Sequence, residues 1–104
     1  MPYKALSTSI GTLLDQVEHI NEQTRIDVIP EGFDTTIYAL VSGWVMDARN
    51  ACEHHEFEVA LDLIVQNLYE VELNVSQEIA DLALDAAQIM QLGPERYDLR
   101  ALIQ

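Results

Sequence analysis

The stretch CEHHEFE, residues 52–58, sets a thiol, two imidazoles and three carboxylates side by side, the donor types used for metal binding and acid–base catalysis. Their spacing works against both. A metal held on a helix needs His and carboxylate ligands at i, i+3 or i+4 so that they share one face, whereas Cys52, His54, His55 and Glu56 are nearly consecutive. Glu-x-x-His occurs nowhere, and the remaining histidine, His19, falls in another helical segment. Cys52 is the sole cysteine, so it has no disulfide partner and no second thiolate for zinc. The serines at 7, 9, 42 and 76 lie outside any nucleophile-elbow pattern, and the glycines at 11, 32, 43 and 93 are too scattered for a phosphate loop. His54 and His55 therefore read as a link between two helices, with Glu56 and Glu58 near the positive end of the helix dipole that follows. No catalytic residue, metal or cofactor is expected, and the chain is not expected to be an enzyme. A metal-dependent enzyme built on His54, His55 and their neighbouring carboxylates is the least favoured alternative.

Arrangement distinguishes the remaining carboxylates. Glu58, Asp62, Gln66 and Tyr69 follow one another at helical spacing, and Glu78, Asp81, Asp85 and Gln88 repeat the pattern further on. Like charges at i, i+4 cost a helix about 0.2–0.5 kcal/mol per pair, and a face made only for solubility ordinarily mixes both signs. No lysine follows Lys4. The stripes read as one half of an electrostatically complementary interface, formed by Glu56, Glu58, Asp62, Tyr69, Glu70, Glu78, Asp81 and Asp85. Tyr69, Tyr38 and Phe33 are candidate aromatic anchors, each with core packing as its alternative.

With 18 acidic and 5 basic residues in 104, the formal net charge is −13. Nucleic-acid binding is disfavoured, since phosphate recognition depends on cations, and a basic partner is favoured. Solubility alone is the competing explanation of the charge. A hydrophobic fraction of 49% is enough to bury a core, and the length suits one domain, residues 1–104. The opening residues lack the uninterrupted apolar run of a signal peptide, and no stretch is long and apolar enough to cross a bilayer, so a cytoplasmic protein without membrane contact is expected.

Apolar periodicity predicts the elements that position these residues. Leu6, Ile10, Leu13, Leu14 and Val17 mark a first helix over about 4–20; Pro30 and Gly32 break the pattern, and RIDVI at 25–29 is the only strand candidate. Asp34 is the expected N-cap of a second helix, with the stripe Ile37, Leu40, Val41, Trp44, Val45 and Ala48 and an end near residue 52. Gly43 inside it reads as a packing glycine, or as the mark of a backbone passing close to Trp44. A third helix begins near Glu56, turns Ala60, Leu63, Ile64, Leu68 and Val71 inward and ends near Glu72. Ser76 caps a fourth, with Ile79, Leu82, Ala83, Ala86 and Met90 inward and Gly93-Pro94 as its stop. A short last helix packs back through Leu99, Leu102 and Ile103. The fold class is all-α, a single compact bundle of about five helices with short links.

The segment HEFEVALDLIVQNLYE, followed by LNVSQEIADLALDAAQIMQL, resembles the small all-helical immunity proteins of bacterial competition systems, of the MafI-like and contact-dependent growth-inhibition groups. Their pattern of a turn, a Glu-started helix with Ala-Leu, then Leu and Glu is met by Glu56, Ala60, Leu61, Leu68 and Glu70. The polar-started helix with a Met-x-Leu ending is met by Ser76, Glu78, Met90 and Leu92. The likeness spans about residues 34–103. It implies a protein that forms a heterodimer with the toxic C-terminal domain of a large secreted effector, often a nuclease, and blocks it. The alternatives are a small acidic helical adaptor in a larger complex and a DNA-mimic inhibitor of a DNA-binding protein.

Overall fold

The computed structural model describes residues 3–104. Four α-helices, α1 (Tyr3–Thr24), α2 (Ile37–Glu53), α3 (Phe57–Val71) and α4 (Gln77–Ile89), are followed by two 3-10 turns, Pro94–Tyr97 and Arg100–Leu102. The architecture is the all-α bundle expected from the sequence, and its fifth helical element is this pair of tight turns. α2 packs between α1 and α3, α4 lies mainly on α1, and the C-terminal segment bridges α3 and α4. The α1 stripe Leu6, Ile10, Leu13, Leu14 and Val17 is buried throughout and joins side chains of every other helix in one continuous core.

The inner face of α4 is unusually small: Ala80, Ala83, Ala86 and Ala87 are buried beside Ile79. Short side chains bring helix axes close, and here they seat α4 against the long apolar stripe of α1. Expected inward residues Leu40, Leu63, Val71, Leu82 and Met90 lie at the margins, half-buried.

RIDVI is not a strand. Beyond Arg25, at φ 36°, it runs beside the start of α2, and its carbonyls accept from the helix: Ile37 N–H donates to Val28 O at 2.8 Å and Tyr38 N–H to Ile26 O at 3.0 Å. An extended chain points alternate carbonyls the same way, which is why 26 and 28 serve together. The next free amide, Ala39 N–H, donates to the Thr36 hydroxyl at 3.1 Å. The amides of the first three helical residues are thus satisfied. Thr36, not Asp34, is the N-cap, because Pro30 to Phe33 are used in a turn closed by Phe33 N–H to Pro30 O at 3.1 Å, with Gly32 at φ 88°. A positive φ at that third turn position favours glycine.

Three helices end alike. His55, Glu72 and Gln91 adopt left-handed conformations with φ of 58°, 53° and 59°. The amide after each one reaches back five residues, Glu56 to Ala51, Leu73 to Leu68 and Leu92 to Ala87. These are Schellman endings built without glycine. The expected stop at Gly93 is therefore corrected: Gln91 ends α4, and Gly93, at φ −62°, leads into the first 3-10 turn. Ser76 caps α4 as expected, accepting from Ile79 N–H at 3.2 Å. Gly43 is also corrected, since it faces solvent and no atom lies within 4 Å of the position its Cβ would take.

Candidate partner-binding face

On α4, Glu78, Asp81, Asp85 and Gln88 are all exposed. At about 100° per residue they centre almost opposite Ile79, Ala83 and Ala87, so the stripe is the true outer face of the helix. It runs about 15 Å, the rise of ten residues at 1.5 Å each. Glu78 sits in the first turn, where the helix dipole favours an anion, and Asp81 accepts from Gln77 Nε2 at 2.8 Å.

The arginines are engaged elsewhere. Arg49 reaches Asp15 at 2.8 Å and Glu18 at 3.4 Å, holding α2 to α1. Arg25 lies 3.9 Å from Asp27 and over the Tyr38 ring at 4.2 Å. Arg96 meets Asp62 at 3.5 Å and Arg100 meets Asp98 at 2.6 Å. Among the described residues, none of these ion pairs includes a carboxylate of α4.

The α3 stripe differs. Its buried residues Phe57, Ala60, Leu61, Ile64, Val65 and Leu68 centre about 120° from Asp62 and Tyr69, which therefore lie on the flank of the helix; the outward line runs through Val59, Gln66 and Glu70. The C-terminal segment packs on that flank. Asp62 accepts from the Tyr97 hydroxyl at 2.6 Å, and the Tyr69 hydroxyl donates to the Asp98 carbonyl. Asp62 and Tyr69, expected to face solvent or a partner, each tie α3 to the C-terminal segment, Asp62 half-buried and Tyr69 still exposed. Glu56, Glu58, Gln66 and Glu70 remain exposed.

Two ionisations are perturbed in this tie. Burial, reinforced by the Asp62 carboxylate as acceptor and nearby charge, pushes the Tyr97 hydroxyl up to about 12. Asp98 is drawn down to about 2 by the Arg100 side chain, with help from the Arg100 amide. Arg100 Nε and Nη2 lie 2.9 and 2.6 Å from the two Asp98 oxygens, a bidentate pair. The 35-residue separation of Asp62 and Tyr97 hid their contact from sequence reading. Asp98 and Arg100, two residues apart before a tight turn, gave a local signal that could have been read.

The aromatic anchors are similarly occupied. Phe33 packs edge-on against Trp44, 6.5 Å between centroids, and the Tyr38 hydroxyl donates to Glu22. At the link after α2, His54 Nδ1 lies 2.9 Å from Asn50 O, while the His55 ring stacks on Tyr3 at 4.6 Å and on Phe57 at 5.8 Å. Burial raises the Cys52 thiol above its ordinary value, a thiol-favouring environment, with Arg49 opposing the shift. Among the described residues no group of three His, Cys, Asp or Glu side chains could hold a metal ion, and no helix is long and apolar enough to cross a membrane.

A scan of family models, a search of curated proteins and a search of solved structures each return no match to this chain.

Proposed function

We propose that this chain is a cytoplasmic immunity protein that binds a basic toxin domain, a nuclease such as a ribonuclease from the C-terminal region of a secreted effector, and blocks its active-site cleft. The observation that carries the reading is the outer face of α4, where Glu78, Asp81 and Asp85 stand exposed with no arginine paired to them. A nuclease must present cations to bind phosphates, and an inhibitor with net charge −13 is drawn to the same cleft. Carboxylates spaced along about 10 Å of helix offer that cleft a row of anions in place of a nucleic-acid backbone.

The weight of the interface falls on α4, with Glu58 and Glu70 of α3 as secondary contacts. Asp62 and Tyr69 support the fold under this reading and contribute to binding only through it. Inhibition proceeds by occlusion, and this chain supplies no catalytic group. Co-expression with the nuclease-type domain of a secreted effector encoded beside this gene tests the proposal. Growth is restored by the wild-type chain and lost again with Asp81→Lys/Asp85→Lys. Equal rescue by the two chains refutes the α4 face, and no rescue by either refutes the immunity function for that domain.

A further inference from the structure

Beside the α4 stripe lies an open groove of about 300 Å³ between α4 and the start of the C-terminal segment, lined by Leu84, Gln88, Leu92 and Pro94. Its walls are mostly carbon, and its volume is at the small end of the roughly 300–1,000 Å³ of small-molecule pockets, ample for one large side chain and small for a cofactor. Gln88 belongs both to the groove and to the stripe, so the opening adjoins Asp85 and Asp81, one and two turns away from it. At the other edge, a Cβ on Gly93 would meet a Glu95 carboxylate oxygen at 3.0 Å, which puts that carboxylate beside the residue joining Leu92 to Pro94. The nearest arginine in sequence, Arg96, is directed to Asp62 and the Tyr97 ring.

We infer that this groove seats one large apolar side chain, phenylalanine-like in size, carried by a cationic protein segment whose lysines or arginines flank it and meet Asp81, Asp85 and Glu95. The inference rests on the acidic-face reading above and adds the anchor that it lacks, since steering by charge sets the rate of encounter while a buried apolar anchor slows dissociation. A second copy of this chain is the wrong occupant, because it would bring the same acidic rim to this one. Gln88 is exposed, so changing it alters the mouth of the groove without touching the core.

The experiment titrates the full ¹⁵N-labelled chain with three helical peptides of about 20 residues, long enough to hold helix in water. One is Lys/Ala-rich with a central Phe, the second has Ala for that Phe, and the third is Glu/Ala-rich with the Phe. The expected result is amide shifts centred on Leu84, Gln88 and Leu92 with the first peptide, and binding about tenfold or more weaker with the second and third. Gln88→Arg should weaken the first peptide about tenfold with the thermal transition unchanged. Equal binding of the first two peptides overturns the groove inference and leaves the acidic face standing. Equal binding of the first and third overturns the cationic partner and the acidic-face reading with it, and shifts centred away from the groove overturn its place in the fold.

Discussion

α3 and α4 carry nearly the same acidic pattern, yet only on α4 is all of it clear of other elements. Glu58, Asp62, Gln66 and Tyr69 advance by four, four and three residues, and Glu78, Asp81, Asp85 and Gln88 by three, four and three. The difference lies in what the opposite face buries. α4 turns a row of alanines to the core, so its carboxylates point straight out. The buried face of α3 is rotated toward Phe57, Leu61 and Leu68, which leaves Asp62 and Tyr69 beside the C-terminal segment. Charge pattern alone therefore nominates a stripe, and the position of the neighbouring chain decides whether it is a surface or a seam.

The sharpest way to break this contrast is at Tyr97, which is 1% exposed and closes the seam. Tyr97→Ala should cost about 3–5 kcal/mol in chemical denaturation, the range for removing a buried aromatic ring. Tyr97→Phe keeps the ring and loses only the bond to Asp62, about 1.5–3 kcal/mol for a hydrogen bond to a charged group. Asp62→Asn and Tyr97→Phe should couple in a double-mutant cycle, whereas Asp85→Asn and Tyr97→Phe should add independently. A null coupling for the first pair would return Asp62 to the surface.

The seam also has a pH signature. Because the Tyr97 pKa is raised in the fold, its contribution is fully present below the ordinary tyrosine value near 10 and is lost as pH rises toward about 12. Stability measured across that window should fall in the wild type, with a smaller fall in Tyr97→Phe. Asp98 has the opposite sign: its pKa is depressed, so its contribution is present above the ordinary carboxylate value and is lost as pH falls through about 2, a step that Asp98→Asn should remove.

Smaller effects sharpen the helix ends. Gln91→Gly, which relieves a side chain held at φ 59°, should stabilise by about 0.5–1 kcal/mol after the entropic penalty of glycine, read as a raised midpoint of thermal unfolding. On the α4 face, Asp85→Lys should change stability by no more than about 0.5 kcal/mol, because it replaces a like-charge neighbour on an exposed helix.

The legible parts of the fold were those set by local chemistry. Five apolar residues of α1 at helical spacing located its buried face, and Ser76 announced the start of α4. Thr36 and Gln91 were hidden by rivals of better propensity: Asp34 is a stronger cap in isolation and Gly93 a better left-handed residue, but α2 starts only at Ile37, where the 26 and 28 carbonyls meet it, and Gly93 leads into the 3-10 segment. The candidate face was half legible. Periodicity located all four α4 residues on the outside, whereas the fate of Asp62 and Tyr69 depended on Tyr97 and Asp98, about 30 residues later, in a segment whose tight turns carry no helical period.

The central claim is that the outer face of α4 meets a cationic protein. It is tested most directly by the association rate of the cognate basic toxin domain with the wild-type chain and with Glu78→Gln/Asp81→Asn/Asp85→Asn, measured as salt is raised from about 0.1 M to about 1 M, where the Debye length falls from about 10 to about 3 Å. The account predicts a fast wild-type rate that drops steeply with salt and a slower, flatter rate for the variant, with both chains equally folded. Superimposable rates and salt slopes would contradict it.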